Sequence, residues 1–100
     1  AEVLYTMGGI MFGAGVINDA AIYMQLAAYI KPDFAEALTA LGDAYSEMKQ
    51  YDRSVAAYDR ITPDSPLYNT SQLHIAVNYD HMGRLKDALA LLYELKALLR

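Results

Sequence analysis

The sequence predicts an all-α solenoid of three antiparallel helix-turn-helix hairpins, six helices in one domain spanning 1–100. Three observations predict it. The chain matches itself at a shift of 34 residues with no insertion. The stretch LGDAYSEMKQYDRSVAAYDRI, residues 41–61, reads as two short amphipathic helices around a turn. Glycine and proline recur at the turns of the repeating unit, with Gly15 in register with Gly83 and Pro32 with Pro66.

Small residues coincide at Gly8, Gly42 and Ala76, and again at Ala20, Ser54 and Ala88. Large apolar residues coincide at Met7, Leu41 and Ile75, at Met11, Tyr45 and Tyr79, and at Met24, Tyr58 and Leu92. The units are 1–34, 35–68 and 69–100, each with a first helix (helix A) and a second (helix B).

In the first unit helix A is expected over 2–14, with Glu2 placed where a helix N-terminus favours negative charge. Gly15 closes it, because glycine adopts the left-handed conformation without penalty. Helix B follows over 17–30. Asp33 and Glu36 have capping-box spacing for helix A of the second unit, expected over 36–48. Lys49 stands where the other units have glycine, so this turn must close differently or accept strain. Helix B of the second unit is expected over 51–61. Ser65 before Pro66 reads as an N-cap with proline at the first helical position, opening helix A of the third unit over 67–82. Gly83 closes it, and the last helix B runs over 85–98.

The small residues predict close approach within each hairpin, Gly8 facing Ala20 and Gly42 facing Ser54. Glycine inside a helix costs about 0.5–1 kcal/mol relative to alanine, so its use twice at one period points to packing. One hairpin cannot bury its faces alone, but a stack can.

The spacing of Leu41-Gly42, Tyr45, Tyr51, Ser54, Tyr58 and Pro66 resembles the tetratricopeptide repeat, and the resemblance covers the whole chain as three units. Gln72, Met11, Ile61 and Leu95 depart from the family's pattern. The segments KPDFAEALTALGDAY and YDRSVAAYDRITPDSP resemble bacterial multi-repeat proteins of this type. The absence of an initiator Met at Ala1 is expected of a piece cut from a longer protein.

The resemblance implies a right-handed superhelix whose concave surface is lined by helix A of each unit. It implies a non-catalytic protein-interaction module, with a protein or peptide as partner. The candidate groove residues are Tyr5, Phe12, Asp43, Glu47, Leu73, His74, Val77, Asp80 and His81. Phe34 and Tyr68 also fall at groove positions. Six of the twelve acids lie at groove positions and none of the eight lysines and arginines does, which favours a basic or neutral ligand. Asp43 and Glu47 are four apart on one helical face, where like charges repel, so helix stability does not explain the pair. Two readings stand for these acids: a ligand-facing stripe, or a solvated face without a role. Tyr45, Tyr58 and Tyr79 sit at packing positions. Tyr5, Phe12, Phe34 and Tyr68 are either peptide anchors or residues covered by neighbouring repeats.

In this family a carboxylate clamp of lysines and asparagines holds chaperone tails, and the matching positions here are Tyr5, Gly9, Ala40, Thr70 and His74. No clamp, and no binding of chaperone-tail carboxylates, is expected.

Other classes of function fit poorly. A net charge of -4 with scattered basic residues argues against nucleic acid. The longest apolar run is too short to insert in a membrane. Zero cysteines exclude disulfides and thiolate chemistry. His74 and His81 are seven apart, too far along one helix to share a metal ion, and read as groove histidines. The glycines of MGGIMFGAG follow no strand and precede no phosphate-binding lysine. No cofactor, metal or catalytic set is expected, and the chain reads as a soluble protein of the bacterial cytoplasm or periplasm.

The last helix, ALALLYELKALLR, ends the stack with Leu89, Leu92, Leu95 and Leu99 as an apolar stripe and no helix to cover it. Terminal repeats need a polar cap, so this uncapped helix is expected to meet continuing chain, a second copy or another protein. Homo-oligomers are expected in isolation. An alternative role is that of a spacer or self-association segment in a longer scaffold, using the apolar end faces.

Overall fold

A computed structural model describes residues 1–98, and among the described residues there are six α-helices and no strand. They are α1 (Glu2–Gly13), α2 (Ile17–Ile30), α3 (Ala35–Glu47), α4 (Tyr51–Asp59), α5 (Tyr68–His81) and α6 (Leu85–Leu98). Each helix packs against the next in chain order, and α1 also touches α3. The result is an all-α solenoid of helical hairpins. Leu99 lies outside the described residues.

The three hairpin turns share one geometry. Residues 15, 49 and 83 take φ of 81°, 59° and 76°, each 34 positions from the next. At each turn the amide of the left-handed residue donates to the carbonyl one residue before the helix end, that of Phe12, Ser46 or Asp80. The following amide reaches one carbonyl further back, at Met11, Tyr45 or Tyr79. These paired bonds satisfy carbonyls that the helix end leaves without partners. Lys49 therefore closes its turn in the same way as the glycines and takes the strain. A side chain in this region costs about 1–2 kcal/mol, partly offset by the freedom that glycine adds to the unfolded chain. Lys49→Gly is expected to stabilise by about 0.5–1 kcal/mol, read as a higher urea midpoint with unchanged slope.

Two helix starts differ from expectation. The Asp33–Glu36 capping box does not form: α3 begins at Ala35 with Phe34 at the N-cap and no side-chain cap. Phe34 is buried against Tyr5, ring centroids 5.2 Å apart, and that burial sets the helix entry one residue past Asp33. Likewise α5 begins at Tyr68, not at Pro66. Ser65 still caps, but in the turn ahead of the helix, where its Oγ accepts from the Leu67 amide at 3.1 Å.

The main core lies between the first two hairpins. Ala21, Met24 and Ala27 of α2 meet Ala37, Leu41, Ala44 and Tyr45 of α3, with Phe34 and Ala57 completing the cluster. The alanines let the helix backbones approach, and the larger side chains fill the space between them. A second cluster joins Ala28, Leu38 and Ile61, which accounts for a large residue at position 61. Leu95, one of the leucines expected on the exposed end face, is buried instead. Tyr79, expected in the core, is only half-buried and lies under the Arg84 guanidinium at 4.5 Å.

At the helical glycines the nearest side chain across the hairpin is a large one. A Cβ at Gly8 would lie 2.8 Å from the Met24 side chain, and one at Gly42 would lie 2.5 Å from the Tyr58 ring. The missing side chain makes room for the large residue of helix B. Ser54 adds a bond of its own, its Oγ donating to the Gly42 carbonyl at 2.7 Å.

Candidate functional site

Helical spacing puts Asp43, Ser46 and Glu47 on one face of α3, and His74, Val77 and Asn78 on one face of α5. The superposed hairpins turn these faces, with Phe12 of α1 and Tyr58 of α4, onto one open pocket of about 420 Å³. The pocket has apolar sides at Phe12 and Val77 and a polar floor.

Tyr58 anchors that floor. Its ring occupies the space left by Gly42, and its hydroxyl donates to Asp43 Oδ1. His74 lies edge-on to the ring, with Nδ1 3.1 Å from the Tyr58 hydroxyl and 3.6 Å from Asp43 Oδ1. The phenol has a single proton and gives it to the carboxylate, so its oxygen is the acceptor and His74 Nδ1 carries the hydrogen. Burial above all, and then the hydrogen bond to Asp43 and its negative charge, push the Tyr58 hydroxyl well above its ordinary pKa. Tyr58 therefore remains a donor.

A second chain of bonds lies beside the first. Buried Asn78 donates through Nδ2 to Ser54 Oγ at 2.9 Å, and Ser46 Oγ donates to Asn78 Oδ1 at 3.5 Å. With the Ser54 bond to Gly42, these side chains tie α3, α4 and α5 together. Among the described residues no buried side-chain nitrogen or oxygen lacks a partner, as an apolar interior requires of its polar groups.

Of the nine groove residues expected from sequence, the fold brings Phe12, Asp43, Glu47, His74 and Val77 to this pocket. Tyr5 is half-buried against Phe34, away from it. Leu73 is exposed on α5 but outside the lining, as is Asp80. His81 stacks on Tyr51 at the hairpin end, centroids 5.1 Å apart and planes 11° from parallel. The acidic stripe is also altered. Glu47 is exposed, but Asp43 is half-exposed and spends one oxygen on Tyr58.

Ser46 falls at a groove position of the second unit and also lines the pocket, whereas Tyr58 and Asn78 were not expected there. Asn78 did carry a signal: it is in register with Ile10 and Ala44, an amide where the sister helices are apolar. Ser54 carries a weaker one, standing in register with two alanines.

Among the described residues no group of three histidines or acids could hold a metal ion. No helix among them is long and apolar enough to cross a membrane.

Residues 35–62, holding α3 and α4, match the family model of the tetratricopeptide repeat. No curated protein matches the sequence. Among solved structures the chain is similar to the type III secretion translocator chaperone SycD of Yersinia enterocolitica, with a TM-score of 0.85 at 21% identity. The match covers 98% of this chain and 68% of that one, and it is a likeness of fold. Residues 35–62 thus carry a tetratricopeptide repeat, and the hairpins before and after them repeat its turn geometry.

Proposed function

We propose that the chain is a non-catalytic interaction scaffold whose pocket between α1, α3 and α5 takes a peptide or helix of basic or neutral character. The convergence of Phe12, Asp43, Glu47, His74 and Val77 from three helices carries this reading. Phe12 and Val77 offer apolar contact on either side of two carboxylates. A lysine or arginine side chain suits such a site, because its stem packs on apolar surface while its head reaches an acid. The repeat family, and a chaperone as the similar structure, support a protein ligand.

Peptide display selection against the folded chain tests this. Enriched peptides are expected to pair a lysine or arginine with a nearby aromatic or aliphatic residue. Glu47→Lys and Phe12→Ala are each expected to weaken the selected peptides about tenfold, near the lower bound for an anchor in a binding surface. Enrichment of acidic peptides, or binding unchanged in both variants, would overturn the proposal.

A further inference from the structure

We infer that the groove between α2 and α4 is a second binding site, opposite in sign to the first, for a short acidic peptide. Arg53 and Arg60 of α4 line one side and Gln25 and Tyr29 of α2 the other, with Tyr45 of α3 between them. The open volume is about 520 Å³, and it shares no residue with the pocket between α1, α3 and α5. Its lining comes from three consecutive helices inside the chain, so the groove is complete without a further hairpin. The two arginines are exposed and about two turns apart on one face of α4. Among the described residues neither forms an ion pair, and no carboxylate lines the groove. Asp52 and Asp59 precede the arginines but lie outside the lining, since adjacent helix positions do not share a face. Asp33 lines a neighbouring cleft with Arg60, and the two are not paired. The Arg53 guanidinium lies 6.0 Å from the Tyr45 ring centroid and gives one bond, to Gln50 Oε1 at 3.3 Å. A guanidinium has five N–H donors, so most of them remain for a ligand.

Packing does not require these cations. One repeat further on, the positions of Gln25, Arg53 and Arg60 are held by Asp59, Asp87 and Glu94. The same fold thus accepts acids where this groove has arginines. A guanidinium matches a carboxylate with two parallel hydrogen bonds, which points to an acidic ligand. Arg53 and Arg60 are separated by about 10.5 Å along the helix, from 1.5 Å per residue. A peptide in the polyproline II conformation turns once in three residues and rises about 9 Å, so acids at i and i+3 share a face at nearly that spacing. Tyr29, 83% exposed, offers its ring to a side chain between them. A long polyanion or an anionic membrane suits the groove less well. The chain as a whole carries -4, which repels an extended negative surface but not a short segment seated between two arginines.

Amide NMR spectra of the whole chain, titrated with the peptide Gly-Glu-Pro-Leu-Glu-Gly, test this. The signals of Gln25, Tyr29, Arg53 and Arg60 are expected to shift, and those of Phe12, His74 and Val77 to stay in place. Arg53→Gln and Arg60→Gln are each expected to raise the Kd about tenfold, as the loss of one hydrogen bond to a charged group does. Both arginines are exposed, and the spectra themselves report whether each variant keeps its fold. The same peptide with lysine for both glutamates is expected to leave the signals of the groove unmoved. Shifts confined to the pocket between α1, α3 and α5, or no shifts at millimolar peptide, would overturn the inference. So would equal groove shifts from the lysine peptide, or a Kd unchanged in both variants. Inorganic phosphate alone giving the same shifts at the same concentration would also overturn it, since the groove would then take any small anion.

Discussion

Tyr58→Ala is expected to destabilise the chain by about 3–5 kcal/mol, the range for removing a large aromatic from a packed interior. Native domains have only about 5–15 kcal/mol in total, so the variant should be partly unfolded at ambient temperature. Tyr58 has the largest side chain among the fully buried residues, at 2% exposure. It fills the seam between α3 and α4 and forms the floor of the pocket. Its removal leaves a void beside Gly42 and takes a partner from both Asp43 and His74. Tyr58→Phe keeps the ring and removes only the hydroxyl, and is expected to cost about 1–2 kcal/mol. Urea unfolding followed by circular dichroism measures both. Equal losses for the two variants would show that the polar floor, not the ring, holds the seam.

Gly42→Ala is expected to destabilise by about 1–2 kcal/mol, although alanine is the better helix former. The new Cβ would sit 2.5–2.7 Å from three atoms of the Tyr58 ring, which is buried and held by Asp43. Overpacking of this kind costs about 1–3 kcal/mol, against a helix-propensity gain of about 0.5–1 kcal/mol. Two other glycines calibrate the result. Gly8→Ala meets the flexible end of Met24 and should be close to neutral. Gly9→Ala meets nothing within 4 Å and should stabilise by about 0.5–1 kcal/mol. The decisive comparison is the double variant. In the Tyr58→Ala background, Gly42→Ala should change sign and stabilise, because its methyl enters the void and the clash is gone. A Gly42→Ala effect independent of residue 58 would mean that the glycine serves some purpose other than admitting the ring.

Much of the architecture was legible in the sequence because it is written in periodic, local terms. Gly15 and Gly83 mark turns through their own backbone freedom, and Lys49 marks one by its place in the period. The helix bodies follow from apolar spacing, and five of the nine candidate groove residues line one pocket. The failures share a different character. The capping box between Asp33 and Glu36 was defeated by Phe34, whose burial against Tyr5 depends on another helix. Leu95 lies in the interior although no hairpin follows α6 among the described residues, and Tyr79 is only half-buried, because burial depends on how whole helices pack.

The sequence by itself determined that there are hairpins, where they turn, and which helix faces are apolar, since φ preferences and helical periodicity act within a few residues. Only the tertiary structure decided that Gly42 makes room for Tyr58, that Tyr58 donates a hydrogen bond to Asp43, and that Asn78 joins Ser46 to Ser54. Those partners are 15 to 32 residues apart in the chain. Their meeting depends on the angle and distance at which whole helices pack, quantities that no local pattern encodes.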